Sequence, residues 1–334
     1  MIQTAGIVTI VVPCYNNETT IGETIESVLV QTSPRWEMIC VDDGSSDDTV
    51  KVIESFCKRD ERINLIIREK EPKGGSHCRN IGAFAAKGEY LIFLDGDDLL
   101  APTCIENRLS KIEHSNYEFV VFPMGRFANN NIYNKIKAGT SLYKDRDYLY
   151  YYASGNAGWP ITSPIIRKSF FVSLGGFDIT FLRSQDIEYN LRAVAFSSGN
   201  YKVEYKADFD CFYRIGATTS SSLMAKLENA LVSYPKLLDI VNRLDMQGLF
   251  TDRIKLSKSI VNIYCLGQIQ YDILKLNKIS IEYPEWFESN KMSCQLLYKD
   301  RILINILLGL LRFPRINYLM ARIVSKITRK SFVQ

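Results

Sequence analysis

Three carboxylates within four residues stand at the end of an apolar run in this sequence. The stretch from Tyr90 to Leu100 reads YLIFLDGDDLL, and it places Asp95, Asp97 and Asp98 directly after LIFL. Like charges at this spacing repel one another, and partial burial makes each anion costlier still. Two carboxylates at positions i and i+2 suit Mg²⁺ or Mn²⁺, whose remaining positions are commonly filled by substrate phosphates. The pattern alone also fits a solvated turn in which aspartates cap a helix.

Two further polar segments follow apolar runs near the start of the chain. PCYNNE spans residues 13–18, and DDGS spans residues 42–45. Each segment alone fits an ordinary turn. Beside DGDD, however, they offer an acceptor for the N–H of a pyrimidine base, an apolar wall for that base, and polar side chains that hold the loop. Asp43 is the acceptor, Pro13 and Tyr15 form the wall, and Asn16 and Glu18 hold the loop.

Apolar runs alternate with amphipathic segments through the first hundred residues. We predict strands at IVTIVVP (7–13), MICVDDG, INLII (63–67) and EYLIFLD, with helices between them. This alternation is typical of βαβ units and of a mainly parallel sheet. Ligands bind outside the carboxyl ends of such strands, so the three polar segments are expected to converge on one crevice.

The sequence also predicts where the first two helices begin. TTIGETIESVLVQT is expected to start behind a threonine cap. SSDDTVKVIESFCKRD places Ser46 as the N-cap of the next helix. Asp47 and Asp48 would then lie in its first turn, where the helix dipole favours acidic residues.

After the first hundred residues the pattern changes to α+β. We predict strands at NYEFVVFPM, ITSPIIR and EYKADFDCFYR, and a helix at SQDIEYNLRAVAF. From about residue 222 onward the sequence favours amphipathic helices. We therefore predict a domain at 1–220, with halves at about 6–100 and 101–220, followed by a C-terminal helical region at 221–334.

The composition bears on the class of protein. The 334 residues are 46% hydrophobic, which is ample for a substantial core. A net charge of +4 is too balanced to indicate a partner among nucleic acids. No segment reaches the roughly 18 uninterrupted apolar residues expected of a membrane span. The eight cysteines show no CxxC spacing, which favours free thiols in a reducing, cytoplasmic compartment over disulfides or zinc.

The C-terminal tail is strongly basic. From Lys291 onward it contains nine lysine and arginine residues against one aspartate. The segment RILINILLGLLRFPRINYLMARIVSKITRK interleaves leucine and isoleucine runs with these cations, which is typical of an interfacial helix beside anionic lipid. We therefore expect peripheral contact with the cytoplasmic face of a membrane. The alternative is a helix packed on the rest of the protein.

The motifs, taken in order, resemble those of the family 2 glycosyltransferases, many of which build bacterial surface polysaccharides. VTIVVPCYNNE, ICVDDGSSDDT, GGSHCRNIGAFAAKGEYLIFLDGDD, GGFD and QDIEYNLR cover the chain from about residue 6 to 215. The resemblance implies the α/β GT-A fold, a nucleotide-diphosphate sugar donor, a glycan or lipid-linked acceptor, and inversion at the anomeric carbon. It also implies Mn²⁺ or Mg²⁺ as cofactor. The half at 6–100 would bind the donor, and the half at 101–220 the acceptor.

The resemblance further implies roles for individual residues. Asp97 matches the main metal ligand, and Asp95 matches a ribose or metal-shell contact. Asp43 matches the contact to the base, for which uracil in a UDP-sugar is expected, and Arg79 would lie near the donor's phosphates. Asp186 matches the family's catalytic base, which would deprotonate the acceptor hydroxyl.

Two positions depart from the family's pattern. The usual Glu-Asp pair appears as Gln185-Asp186, which puts in doubt whatever the glutamate contributes to acceptor positioning. The common Tyr-Arg-x-His pattern ends here in Gly216, so only Arg214 is carried over, as an acceptor-side residue. Trp159 in GNAGWPITSP is a candidate platform for a sugar ring, and it fits a core position equally well.

Other functions fit parts of the same pattern. A nucleotidyltransferase would also use βαβ units and carboxylate-bound Mg²⁺, but PCYNNETT is not the glycine-rich, lysine-containing phosphate loop of such enzymes. A Rossmann dehydrogenase is disfavoured because no GxGxxG follows a strand. The departures at Gln185 and Gly216 favour a third alternative, a catalytically degenerate donor-binding or membrane-docked scaffold subunit.

Overall fold

The computed structural model describes residues 6–68, 71–128, 142–144, 146–153, 157–181 and 184–215, with a few isolated positions between 233 and 248. The chain divides into two compact units. The first is Met1–Arg146, Ala157–Thr180 and Glu188–Ala217, and the second is Asp147–Asn156, Phe181–Ile187 and Thr218–Gln334. The predicted boundary near residue 220 stays a prediction. Most of the predicted C-terminal region at 221–334, with its basic tail, lies outside the described residues.

Ten strands lie in the described part of the chain. The first five are β1 (Val8–Cys14), β2 (Trp36–Asp42), β3 (Ile63–Ile67), β4 (Tyr90–Phe93) and β5 (Leu99–Leu100). The other five are β6 (Phe119–Val121), β7 (Met124–Phe127), β8 (Pro164–Arg167), β9 (Tyr201–Val203) and β10 (Cys211–Arg214).

Seven helices lie in the same residues. They are α1 (Ile21–Leu29), α2 (Thr49–Cys57), α3 (Gly75–Ala85), α4 (Cys104–Ile112), α5 (Tyr148–Ala153), α6 (Lys168–Ser173) and α7 (Gln185–Phe196). Within the ranges just given, none of these helices has the length and apolar character needed to cross a bilayer.

The larger sheet of the first unit has seven strands in the order β3-β2-β1-β4-β8-β6-β9. Strands β1 to β4 are parallel to one another, as the alternation of the sequence predicts. β8 pairs antiparallel with both β4 and β6, and β9 runs parallel to β6. Since β1 lies between β2 and β4, the carboxyl ends of these three strands are side by side.

Apolar strand residues explain how the helices are held on this sheet. Val8, Ile10 and Val12 of β1 are buried in the main core cluster. Ile21 and Ile25 of α1, spaced four residues apart, belong to the same cluster because this spacing brings them to one helix face. Burial of this face fixes the helix that follows β1, and therefore the loop between them.

A smaller sheet, which the sequence patterns did not predict, has the order β5-β10-β7. β10 pairs antiparallel with β5 and parallel with β7. β5 begins immediately after Asp98, so this pairing brings the end of β10 beside the DGDD segment.

The predicted start of α2 is wrong. The helix begins at Thr49 behind Asp48, and Ser46 lies outside it. The reason is local: Asp47 Oδ1 accepts hydrogen bonds from the backbone N–H of Thr49 at 3.0 Å and from its hydroxyl at 2.5 Å. These bonds tie Asp47 to Thr49, the first residue of the helix, so Asp47 precedes the helix instead of entering its first turn.

Two predicted strands are each divided. EYKADFDCFYR contains only β10, because Ala207 N–H donates to Glu204 O in a turn before Asp210. NYEFVVFPM contains β6 and the start of β7, which belong to different sheets. The apolar run continues across the break, so it does not reveal the change of sheet.

Candidate functional site

A cavity of about 240 Å³ opens at the carboxyl ends of β1, β2 and β4 in the first unit. The residues that line it are Pro13, Cys14, Tyr15, Asn17, Asp43, Gly75, Cys78, Asp95, Gly96 and Asp97. All three polar segments contribute to this lining. The predicted convergence of PCYNNE, DDGS and DGDD on one crevice is therefore confirmed by the structure.

The loop after β1 is fastened to the loop after β2. Asn16, with φ of +53°, accepts a hydrogen bond from the Ser46 N–H at 2.9 Å on its Oδ1. Glu18 Oε2 accepts from the Asp48 N–H at 3.0 Å. Asn16 and Glu18 thus hold the loop that carries Tyr15, and neither is among the residues that line the cavity.

Asp43 is nearly buried, and both of its carboxylate oxygens are bonded within the protein. Arg68 Nη1 donates to Oδ1, and the Gly74 N–H donates to Oδ2 at 2.5 Å. Arg68 Nη2 also donates to Pro72 O at 2.6 Å. The cation offsets the cost of burying the anion and orients its carboxylate. Sequence reasoning missed Arg68, because only the apolar pattern of β3 stands out in that stretch.

Tyr15 lines the cavity while half of its surface remains exposed. The Lys73 ammonium lies 4.7 Å from the centroid of its ring, which is cation–π geometry. Lys73 Nζ also donates to Gly44 O at 3.1 Å. The lysine therefore ties the loop before α3 to the loops that follow β1 and β2.

Two residues of α3 add charge and a thiol to the site. Arg79 Nη2 donates to Asp95 Oδ1 at 2.5 Å, which places a cation at the first carboxylate of DGDD. Cys78 lines the cavity, and burial, with the neighbouring Asp43, raises the pKa of its thiol to about 12. The thiol is therefore uncharged at neutral pH.

The backbone of the DGDD turn is held at three successive carbonyls. Gly96 O accepts from the Thr20 hydroxyl at 3.0 Å, Asp97 O accepts from Arg214 Nε at 2.8 Å, and Asp98 O accepts from the Thr24 hydroxyl at 2.9 Å. Thr20 is the N-cap residue of α1, as predicted, but its hydroxyl bonds to this turn instead of to its own helix. These three bonds fix the backbone of the turn in place.

Close packing at Gly96 adds to this constraint. A Cβ at this position would lie 3.0 Å from Asn17 Oδ1 and 3.3 Å from Pro13 O. The DGDD turn thus approaches the loop after β1 more closely than a larger residue would allow.

Negative charge accumulates in this turn. Asp98 is 1% exposed and accepts the Arg214 N–H at 3.0 Å on its Oδ1. Burial, and then the charge of Asp95, raise the pKa of both Asp97 and Asp98. Burial is the larger cause in both cases, and a bound cation would lower both pKa values.

Asp95 and Asp97, the predicted metal ligands, both line the cavity. In the ranges that the structure describes, no group of three or more His, Cys, Asp or Glu residues is arranged to hold a metal ion. A cation at this turn would need further oxygen ligands from a substrate, which is the usual manner of binding Mg²⁺. The oxygen donor set and the raised pKa of Asp97 both fit such an ion.

Arg214 lies at the end of β10 and reaches two other segments. Besides its bonds to the DGDD turn, its Nη2 donates to Glu23 Oε2 at 2.6 Å, and its guanidinium carbon lies 4.6 Å from the centroid of the Phe127 ring. The side chain thus braces the turn against α1. Its expected role on the acceptor side stays a prediction.

Trp159 is 1% exposed, and its ring lies 6.3 Å from that of Phe119 between centroids. A side chain buried to this degree does not present a face to a sugar. The structure therefore favours a core role for Trp159 over the sugar platform. The sequence did not distinguish the two roles, because tryptophan occurs both in cores and as a platform for sugar rings.

Gln185 and Asp186 belong to the second compact unit. They are the first two residues of α7, so the predicted start of this helix is confirmed. Gln185 Nε2 donates to Phe181 O at 3.0 Å, and Ser184 before it has φ of +59°. The roles of Asp186 as base and of Gln185 as an acceptor contact stay predictions.

Comparison with known proteins shows a similarity to one sequence family. The sequence model described as Glycosyl transferase family 2 matches residues 9–171. An uncharacterized glycosyltransferase of Rickettsia felis is 40% identical over 112 residues, which are 34% of this chain and 18% of the relative. The chain therefore corresponds to less than a fifth of that relative's length.

A relative with a more specific description occurs in Escherichia coli. It is the UDP-Glc:alpha-D-GlcNAc-diphosphoundecaprenol beta-1,3-glucosyltransferase WfgD, which is 38% identical over 133 residues. These residues make up 40% of this chain and 51% of the relative. The chain thus spans about half the length of this protein.

Solved structures share the fold at low identity. TarS 1–349 of S. aureus, in complex with UDP, is 17% identical and covers 81% of this chain and 82% of its own, with a TM-score of 0.51. The mannosyltransferase PcManGT of Pyrobaculum calidifontis, in complex with GDP-Man and Mn²⁺, is 15% identical and covers 95% of this chain and 86% of its own, also with a TM-score of 0.51. The predicted α/β GT-A fold is thereby confirmed.

Proposed function

Because residues 9–171 of this chain match the sequence model of glycosyl transferase family 2, we propose that the protein is an inverting glycosyltransferase. It moves a sugar from a nucleotide-diphosphate donor to a hydroxyl of a glycan or lipid-linked acceptor in polysaccharide biosynthesis. One observation carries this proposal. Tyr15, Asp43, Asp95 and Asp97 line a single cavity at the carboxyl ends of the parallel strands.

The donor is a UDP-sugar in this proposal. Pro13 and Tyr15 offer an apolar wall for the uracil ring, and Asp43 offers an acceptor for its N–H. Arg68 and Gly74 hold the Asp43 carboxylate in one orientation, so it is ready to bind the base without rearrangement. The relative WfgD is named for UDP-Glc, which supports this choice, whereas PcManGT was solved with GDP-Man.

The diphosphate and its charge are assigned to the other side of the cavity. Arg79 supplies a cation beside Asp95, which lines the cavity, and in this proposal it binds the donor's phosphates. Asp97, with Asp95, would hold Mn²⁺ or Mg²⁺. When bound, such an ion would neutralise charge on the departing diphosphate.

Asp186 is the general base in this proposal. Its carboxylate accepts the proton of the acceptor hydroxyl while the oxygen attacks the anomeric carbon. The bond from that carbon to the diphosphate oxygen breaks on the opposite side, and the configuration inverts. A new glycosidic bond and a nucleoside diphosphate are the products, and no covalent intermediate with the protein forms.

The site of action is proposed from the sequence. We place the protein in the cytoplasm, with the basic tail from about Ile302 in peripheral contact with anionic membrane. This contact would bring the protein to the membrane that holds a lipid-linked acceptor. The tail lies outside the described residues, so its composition alone supports this part of the proposal.

A thermal-shift panel of UDP- and GDP-sugars with Mn²⁺ tests the donor assignment. Ligands that bind only the native state raise its apparent stability, so UDP-sugars should raise the melting temperature more than GDP-sugars. Asp43→Asn should reduce this shift. Glu54→Ala, an exposed change on α2, is the matched control and should leave the shift unchanged.

Each outcome of this panel has a consequence. Tighter binding of GDP than of UDP would overturn the choice of uracil. A transfer assay on the same preparations then separates enzyme from scaffold, since binding without transfer to any glycan or lipid-linked acceptor favours the degenerate donor-binding subunit. If the chain binds no nucleotide sugar, the proposed function is wrong.

A further inference from the structure

Adjacent residues of α3 reach two different segments of the first unit. Arg79 bonds to Asp95 of the DGDD turn, as described above. Asn80 bonds instead to the GGFD segment, where its Nδ2 donates to Phe177 O at 2.9 Å and its Oδ1 accepts the Phe177 N–H at 2.8 Å. One amide side chain thus satisfies both backbone groups of Phe177. The proposed chemistry makes no use of this contact.

The approach of the GGFD segment to Asn80 requires glycine. Gly176 has φ of +74°, and a Cβ there would lie 2.5 Å from Asn80 Oδ1 and 3.3 Å from the Phe171 ring. Gly175 also has a positive φ, but a Cβ at that position would meet nothing within 4 Å. The close contact is therefore specific to Gly176, the residue that faces Asn80.

The Phe177 ring packs toward the donor side of the unit. Its centroid lies 5.1 Å from that of Phe93, in edge-on geometry, and 4.5 Å from that of Tyr189. Phe93 is the last residue of β4 and stands two positions before Asp95. The Arg79 guanidinium carbon is 5.7 Å from the Phe177 centroid. Arg79 therefore contacts both the DGDD turn and the GGFD segment.

A second arginine fixes the GGFD segment from α7. Arg192 Nη1 donates to Leu174 O, and its Nη2 donates to Gly176 O, both at 2.8 Å. Glu188, whose side chain is 1% exposed, pairs with the same guanidinium. The segment from Leu174 to Phe177 is thus bonded on both sides, whereas Ile179 just beyond it is exposed.

We propose that Asn80 is a positioning residue that sets the GGFD segment at a fixed place relative to the Arg79–Asp95 pair. α3 then aligns the donor-binding turn with the loop that ends at the exposed Ile179, and we assign this loop to the acceptor side. The proposal rests on the proposed function for its effect on transfer. Its structural part, that Asn80 immobilises the loop, holds independently of any activity.

Amide hydrogen exchange of the full chain tests the structural part directly. In Asn80→Ala, the Phe177 N–H loses its acceptor, and peptides covering 174–180 should exchange about 10-fold faster or more. Asn80→Asp retains an oxygen that accepts the Phe177 N–H but loses the donor to Phe177 O, so it should show an intermediate rate. Asn107→Ala, on the exposed face of α4, is the matched control.

Kinetics test the functional part. The KM for the acceptor should rise about 10-fold in Asn80→Ala, with Asn80→Asp between it and the wild type, while the affinity for UDP stays within about twofold. A purely structural role would instead lower the melting temperature and leave both constants unchanged in the folded fraction. Should Asn80→Ala fail to fold, Asn80→Asp provides both measurements.

The results that overturn the inference are distinct from those that overturn the proposed function. Exchange at 174–180 that is equal in the wild type and both Asn80 variants would show that this side chain does not hold the loop. Equal losses of affinity for the donor and the acceptor would show that Asn80 has no selective effect on acceptor binding. Absence of transfer in the wild type would contradict the proposed function, and the exchange result would still stand.

Discussion

Arg108 and Asp210 form a bidentate ion pair in the core of the first unit, although they are 102 residues apart in sequence. Arg108 Nε donates to Asp210 Oδ2 at 2.8 Å, and Nη2 donates to Oδ1 at 2.7 Å. The Arg108 side chain is fully buried, and its Nη1 donates to Thr162 O at 2.8 Å. The pair therefore joins α4 to the segments that lead into β8 and β10.

Removal of one partner from this pair should destabilise the protein strongly. Asp210→Ala leaves the Arg108 guanidinium buried without its counter-ion, so we expect the free energy of unfolding to fall by about 3–5 kcal/mol. Glu26→Ala, which breaks the exposed pair with Arg59, should cost less than about 1 kcal/mol. Urea denaturation of the two variants measures both values. Similar losses in the two would contradict the importance of burial at Asp210.

Substitution of Asp97 should impair donor binding, whereas substitution of Asp186 should impair the transfer reaction. Asp97→Ala removes an oxygen ligand beside the cavity, so the affinity for UDP-sugar should fall and its dependence on Mn²⁺ should weaken. Asp186→Asn keeps the shape of the side chain but removes the base, so turnover should fall by about 10² to 10⁴-fold while donor binding persists. Calorimetric titration with nucleotide sugar and a transfer assay measure the two effects. Near-normal transfer by Asp186→Asn would exclude it as the base.

The thiol in the cavity should resist alkylation at ordinary pH. Burial, with Asp43 nearby, raises the pKa of Cys78 to about 12, so the folded protein keeps this thiol protonated well above the usual value of 9.0. Only the thiolate reacts, so iodoacetamide should label Cys78 at pH 8 about 1000-fold more slowly than in urea-unfolded protein. The native rate should rise about tenfold per pH unit up to pH 12. Peptide mass spectrometry measures this rate, and equal labelling at pH 8 in both states would contradict it.

The basic tail should control binding to membranes. Deletion from Ile302 onward removes most of the tail's cations and its leucine-rich run, so the shortened protein should no longer sediment with anionic liposomes. Neutral liposomes serve as the control, because the electrostatic part of the binding needs anionic lipid. If the shortened and full-length proteins sediment equally, the tail packs on the protein or has another role.

The sequence predicted the elements whose signals are local. INLII coincides with β3, and the polar ends of β1, β2 and β4 meet in one cavity because parallel strands present their carboxyl ends together. The start of α2 was misplaced, since the Asp47 side chain accepts the Thr49 N–H and the helix begins at Thr49.

Contacts between distant segments could not be predicted in this way. Arg214 bonds to Asp98 across 116 residues, and Asn80 bonds to Phe177 across 97. Each of these side chains is an ordinary polar residue in its own stretch of sequence. Only the pairing of β10 with β5, and the packing of α3 on the sheet, bring the partners together.

The strand order of the larger sheet has a consequence for synthesis on the ribosome. β1 to β4 can pair as soon as Phe93 has emerged, because the nascent chain then contains four adjacent parallel strands. β8 is the second neighbour of β4 and also pairs with β6. Neither pairing can form until synthesis has reached Arg167, the end of β8. During that interval β4 is an open edge that can pair with another chain, which exposes the nascent chain to aggregation.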